Sequence, residues 1–199
     1  MIPTSEVLEL FKQTGAYLKG HFRLTSGLHS PEYMQCALVL QYPEYAERLG
    51  RELARTLRSL VGESAIDVVA SPAIGGLIIG HEVARALGAR HIFAERDASG
   101  RMILRRGLSA ASGERAVVVE DVITTGGSSR EVIQLLRESG ANVVAAASIV
   151  DRSGGRANLE APHTALATLG VTSYPPGECP LCRQGLPVEK PGSRPVLSR

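Results

Sequence analysis

Apolar positions change their period along the chain, and the changes mark out its elements. From Pro43 onward, Ala46, Leu49, Leu53, Leu57 and Leu60 recur every three or four residues. That spacing predicts one buried stripe on a helix that Pro43 opens. Residues 4–18 carry Val7, Leu8, Phe11 and Tyr17 inward in the same manner and predict an earlier, shorter helix. Between the two, Phe22 and Leu24 alternate with polar neighbours ahead of Ser26-Gly27, a strand running into a turn. Beyond residue 65 short β-branched or apolar runs take over, at 66–70, 91–93, 115–120 and 142–150. A Gly75-Gly76 turn leads into a helical pattern at 77–87, and another helical pattern spans 128–139. Continuous apolar strands separated by amphipathic helices predict an α/β fold whose central, mostly parallel sheet is flanked by helices on both faces.

Two stretches stand outside this pattern. Residues 94–114 are rich in Gly, Ser, Asp and Arg, and read as a long polar loop or a β-ribbon. Loops of that length inside compact domains are usually functional. The tail from Pro175 holds Pro175, Pro176, Pro180, Pro187, Pro191 and Pro195, and should dock irregularly or fray. The expected organisation is one domain over 1–199, with an N-terminal hood to about residue 40, a core over about 41–174 and an irregular tail over 175–199.

Composition narrows the partners. Twenty-two basic against twenty acidic residues give a net charge of +2, which argues against nucleic acid or a membrane surface as a ligand. The longest apolar run, near 143–150, is far short of the ~20 residues a bilayer requires. No secretory leader pattern opens the sequence, and three cysteines make no disulfide framework, so the expected setting is the cytoplasm. Only Lys12, Lys19 and Lys190 are lysines, so arginine is expected wherever the chemistry wants a cation.

The candidate chemistry lies after the third of the apolar runs. In Val117-Val-Val-Glu120-Asp121-Val122-Ile123-Thr124-Thr125-Gly126-Gly127-Ser128-Ser129, a strand ends in adjacent carboxylates, a hydroxyl- and glycine-rich loop follows, and a helix begins. In a parallel sheet that junction lies at the carboxyl edge, where open α/β folds bind ligands. The glycines allow close backbone approach, the hydroxyls donate, and the first helical turn offers free N–H groups to an anion. Ionised Glu120 and Asp121 only accept hydrogen bonds, which suits two neighbouring sugar hydroxyls. Together these parts describe a ribose 5-phosphate site; a capped helix start beside a solvated acidic pair is the plainer alternative. No G-x-x-x-x-G-K-[ST] or G-x-G-x-x-G pattern is present at this junction.

The stretch 120–128 resembles the diphosphate-ribose motif of the type I phosphoribosyltransferases. The resemblance extends to Gly20–Ser30, Ser71–Gly76 and Val150–Gly155, and points to the orotate-using members. It implies that fold, with an N-terminal hood and a long mobile lid. It implies transfer of the ribose 5-phosphate group from 5-phosphoribosyl 1-diphosphate to orotate, giving orotidine 5-phosphate and diphosphate in pyrimidine nucleotide synthesis. Glu120 and Asp121 then hold the ribose hydroxyls, and Val122, Ile123, Thr124, Thr125, Gly126, Gly127 and Ser128 complete the sugar-phosphate site. Thr124 also lies against the base, Arg152 binds orotate, and Ser26, Gly27 and Ser30 belong to the hood that closes over it. A salt bridge with Asp151 is the structural alternative for Arg152.

The resemblance also assigns Ala73, Ile74, Gly75 and Gly76 to a loop facing the diphosphate, and 94–114 to the lid, with Arg96 as its diphosphate-binding cation. Departures occur where Gly75 replaces a common lysine, Glu95 a common arginine and Thr25 a common basic residue; Arg101, Arg105 and Arg106 stand where other lid groups are expected. Arg23 is two residues before Thr25 on the same strand face. Magnesium is implied, carried by substrate oxygens with no protein ligand, as is a homodimer whose lid reaches the partner's site. Transfer to a purine or other base, and a non-catalytic regulator on the same fold, are the competing functions. Cys179-Pro-Leu-Cys182 has metal-ligand spacing, but one pair is not a four-ligand site, and it reads as a structural turn. Likewise His21 and His29 read as structural or surface residues.

Overall fold

The computed structural model describes residues 2–24, 26–62 and 64–191, so Thr25 and Pro195 lie outside the described residues. Helix α1 (Thr4–Gln13) buries Val7, Leu10 and Phe11. It ends well before Leu18, because Gly15 turns the chain at φ +66° and Tyr17 and Leu18 enter strand β1 (Tyr17–Arg23). β1 pairs antiparallel with β2 (His29–Met34) in a separate two-stranded ribbon. Helix α2 (Cys36–Leu40) leads to α3 (Pro43–Val61), which buries Ala46, Leu49, Leu53 and Leu57 as the periodicity requires. Leu60, expected on the same stripe, is 43% exposed in the last turn.

The alternation then proceeds through β3 (Val68–Pro72), α4 (Gly76–Leu87), β4 (Arg90–Arg96), β5 (Met102–Leu104), β6 (Arg115–Ile123), α5 (Gly127–Glu138), β7 (Asn142–Asp151) and β8 (His163–Thr168). A 3-10 turn at Pro176–Glu178 and helix α6 (Pro180–Arg183) follow. The six-stranded sheet has the order β5-β4-β3-β6-β7-β8, and only the β4–β5 pair is antiparallel.

Strand alternation divides the core between the two faces. Val69, Val117, Val119 and Ala147 pack with the apolar faces of α1 to α4, while Val68, Ala70, Val118 and Ala146 pack with Val132, Ile133 and Leu136 of α5. Helices thus cover both faces, which is why the strands read as nearly unbroken apolar runs. Among the described residues no helix is long and apolar enough to cross a membrane.

The stretch 94–114 begins as a ribbon. β4 continues to Arg96 and pairs with β5 through Ala94↔Leu104, Glu95↔Ile103 and Arg96↔Met102. Asp97 closes the turn by accepting from the N–H groups of Ser99 at 2.8 Å and Arg101 at 3.0 Å.

Candidate active site

Three adjacent strands, β3, β6 and β7, end at one edge of the sheet and deliver three separate sequence segments to it. β6 outruns β3: its pairing with β3 stops at Val118, but its pairing with β7 continues to Ile123. Glu120 and Asp121 therefore project beyond the covered part of the sheet, on the floor of a cavity of about 460 Å³. Thr124, Thr125, Gly126, Gly127 and Ser128 form one wall, with Arg96, Arg152 and Ser26 also facing in.

The loop geometry follows from its glycines and one arginine. Gly126 caps α5 at φ +75°, and a Cβ there would sit 2.3 Å from Leu159 Cδ2, so both conformation and packing demand glycine. Among the described residues no side chain caps the helix, which leaves its first N–H groups without side-chain partners beside the cavity. Arg130 braces the loop from behind by donating to the carbonyls of Thr125 and Asn158, each at 2.8 Å. Although the sequence offers Ser128 and Ser129 as equivalent donors, only Ser128 lines the cavity. Ser129 is buried and donates to the Glu120 carboxylate.

The two acids differ in support. Burial pushes the Glu120 carboxyl up to about 7, against the Ser129 hydrogen bond that favours its charged form; Asp121 raises it further and Arg96 opposes. Burial also raises Asp121, opposed by hydrogen bonds from the backbone N–H groups of Val122 and Asp121 itself and from the Cys36 thiol. Cys36 is itself pushed well up by burial and stays a thiol donor. Nothing in the local sequence linked Cys36 to Asp121. The 73–76 loop after β3 meets the same acid from the other side, for a Cβ on Gly75 would lie 2.6 Å from Asp121 Oδ1. Glycine at that position gives Asp121 its room. The Ala73–Ile74 peptide is cis and Ile74 is 84% exposed; none of residues 73–76 lines the cavity.

Arg152 follows β7 and is buried. Its Nη2 donates to the Glu32 carbonyl at 3.0 Å and the Ser30 hydroxyl at 3.3 Å, tying the sheet edge to β2. Asp151 does not pair with it: that carboxylate accepts from the N–H groups of Ser153 at 2.7 Å and Gly155 at 3.1 Å. The Nε of Arg152 is buried and has no hydrogen-bond partner among the described residues. Burial lowers its pKa from the ordinary arginine value, but a guanidinium remains charged at neutral pH. A second cavity of about 300 Å³ shares Leu24, Ser26, Thr124, Thr125 and Arg152 with the first and extends toward Asn158 and Ser173. Gly27 lines neither, but turns the chain at φ +83° with its N–H on the Leu24 carbonyl at 2.9 Å.

Arg96 lies across the mouth, half-exposed, in a two-pronged pair with Glu131, both contacts 2.9 Å. Such an exposed pair contributes only about 0–1 kcal/mol, so an incoming polyanion can displace Glu131. Glu131, Tyr33, Met34 and Gln35 also line the cavity and carry no motif that marks them in the sequence. Val122 reaches the lining, whereas Ile123, expected in the sugar-phosphate site, is buried in the core against α5, because strand alternation turns it to the other face. Arg101 pairs with Asp97 and Arg106 with Glu95, both away from the cavity lining.

The sequence profile of the phosphoribosyl transferase domain matches residues 41–170. Over 191 residues the chain is 55% identical to an orotate phosphoribosyltransferase of Pelotomaculum thermopropionicum, covering 96% of this chain and 98% of that one. The crystal structure of orotate phosphoribosyltransferase from Aeropyrum pernix superposes with a TM-score of 0.67 at 28% identity, over 82% of this chain and 93% of the other. Adenine phosphoribosyltransferase from Saccharomyces cerevisiae gives a TM-score of 0.64 at 20% identity, over 81% and 98% of the two chains. That last likeness concerns the fold alone, so backbone shape does not choose the base.

Proposed function

We propose a reaction for this chain from the premise that it belongs to the phosphoribosyl transferase domain family: it transfers the ribose 5-phosphate group of 5-phosphoribosyl 1-diphosphate to orotate, giving orotidine 5-phosphate and diphosphate. The single observation that carries this reading is the cavity at the β6–α5 junction, where paired acids face an uncapped helix start beside a buried arginine. The 5-phosphate sits on the N–H groups and hydroxyls of Thr124 to Ser128, and Glu120 and Asp121 accept from the ribose hydroxyls. Arg152 offers its guanidinium to the orotate carboxylate, with Thr124 against the ring and Ser26 and Gly27 in the covering hood.

As the bond from C1 to the diphosphate breaks, positive charge grows on the sugar and negative charge on the leaving group. Arg96, released from Glu131, meets the leaving diphosphate, and the 73–76 loop, outside the cavity lining and across Asp121 from it, would meet only the part of the diphosphate that extends past that acid. Orotate that arrives with its ring nitrogen deprotonated needs no strong protein base, so alignment supplies much of the acceleration. Magnesium fits the donor chemistry, since among the described residues no histidine or cysteine lines the cavity and its acids offer only hard oxygens. It would ride on substrate oxygens beside Glu120 and Asp121 and neutralise the diphosphate. The working unit is a homodimer in which the part of 94–114 beyond Arg96 closes over the partner's site. Exposed Ile74 in the 73–76 loop and Ile78 just after it support a subunit contact there. Its setting is the cytoplasm, a reading supported by three unbridged cysteines.

Mixing the protein with 5-phosphoribosyl 1-diphosphate, magnesium and orotate should consume orotate, followed by its absorbance. Turnover of adenine, guanine or xanthine with none of orotate would transfer the site to another base. The pH profile gives a second test. Protonation strips Glu120 of its charge and turns one of its two acceptor oxygens into a donor, so kcat/KM for the ribosyl donor should fall as pH drops through about 7. Ser129→Ala removes a bond that favours the carboxylate and should move this acid limb to higher pH. Stability runs the other way. The folded state holds the Glu120 proton more tightly than the unfolded chain, so stability declines as pH rises from the ordinary carboxylate range to about 7.

A further inference from the structure

Away from the cavity, four groups from opposite ends of the chain converge. His21 lies on β1, His29 opens β2, and Cys179 and Cys182 flank and occupy α6. Their ligand atoms all lie within 4.8 Å of one another, and His21, His29 and Cys179 are buried. None of the four lines either cavity, and nothing in the proposed reaction uses them. We propose that His21, His29, Cys179 and Cys182 form a structural zinc site that fastens the C-terminal segment to the β1–β2 ribbon.

The distances match a tetrahedral set. Cys179 Sγ is 3.5 Å and Cys182 Sγ 3.7 Å from His21 Nε2, and Cys182 Sγ is 3.3 Å from His29 Nδ1. A zinc ion with Zn–N about 2.0–2.1 Å and Zn–S about 2.3 Å places its nitrogen and sulfur ligands roughly 3.5 Å apart. His21 Nε2 and His29 Nδ1, at 2.8 Å, are closer than that geometry requires and would part slightly on binding.

Tautomer and charge agree with the distances. His21 Nδ1 lies 2.8 Å from the Leu186 carbonyl, so it carries the proton and donates it there, leaving the Nε2 lone pair aimed at the cluster. Such an outer hydrogen bond is the usual means of orienting a metal-bound histidine. Two thiolates cancel the charge of a divalent ion, so the assembled site is neutral where burial would penalise a net charge. Two sulfurs and two imidazole nitrogens suit zinc over magnesium or calcium, and four protein ligands leave no open position for chemistry.

The surrounding backbone shows what the site would hold. Glu189 N–H donates to the His21 carbonyl at 2.8 Å, Arg23 N–H to the Glu189 carbonyl at 2.7 Å, and His29 exchanges two 2.8 Å bonds with Tyr174. These few bonds lay the tail along the ribbon. A metal link between residues so distant in sequence would secure that arrangement and, through Ser30 next to His29, steady the partner of Arg152.

The test is metal analysis of the untagged full chain, purified without added zinc or chelator. About one zinc per chain is expected, falling to less than a tenth in the Cys179→Ser/Cys182→Ser double variant. Stripping the wild-type protein with a chelator should lower Tm by roughly 5 °C or more, and zinc alone should restore it. Cobalt added to the stripped protein should give the visible bands of tetrahedral thiolate coordination, a readout that does not depend on the variant folding. A folded protein that holds no zinc and gains no Tm from it would overturn the proposal. So would a Cys179–Cys182 disulfide, iron in place of zinc, or zinc retained by the double variant. Orotate turnover is a separate measurement, so a negative result here leaves the reaction standing.

Discussion

Asp121→Asn is expected to lower kcat by about a hundredfold or more, the scale associated with losing one fixed charge interaction at a reacting centre. The amide preserves the volume beside Gly75 but loses the negative charge that faces the developing cation of the sugar. Stability should not suffer. Burial already penalises the charged form of Asp121, so a neutral side chain in the same place removes an unfavourable term while leaving the strand pairing of β6 intact. Steady-state kinetics and thermal unfolding on the same preparation separate the two effects. Near-normal turnover with an unchanged Tm would take the ribose-hydroxyl role away from this residue.

Arg152→Ala should act on the other substrate. Truncation removes a charged hydrogen-bonding group worth about 1.5–3 kcal/mol, so kcat/KM for orotate should fall roughly 10- to 150-fold, with KM for the ribosyl donor moving little. Arg152→Lys should recover only part of the loss, because an ammonium lacks the planar fork. Truncation also cuts the link to β2, and Ser30→Ala serves as the control, since it removes one of those bonds and leaves the guanidinium in place. An effect confined to the ribosyl donor would move Arg152 to the phosphate side of the site.

The stripe from Ala46 to Leu57 reports helix α3 faithfully, because an amphipathic face is a local periodicity. The β6–loop–α5 junction was legible for a related reason: strand, acids, glycines and helix start are consecutive in sequence. By contrast, the pattern carried the first helix through Leu18, whereas Gly15 ends it, since apolar spacing does not register a turn that hands Tyr17 to a strand. Leu60 fits the stripe by angle yet remains exposed, because periodicity measures direction around a helix and not whether anything covers its last turn. Ser128 and Ser129 looked equivalent, and only burial separates the cavity donor from the support of Glu120.

The alternation of strands and helices and the junction of strand, acids, glycines and helix start are written in neighbouring residues and need only backbone geometry to be read. Tertiary structure alone decided that Gly75 makes room for Asp121, that Cys36 donates to it, and that Arg96 rests on Glu131. It alone gathered His21, His29, Cys179 and Cys182 into one cluster. The physical reason is common to all four: each depends on the order of strands in the sheet and on the path of the tail, which bring together residues that no local period connects.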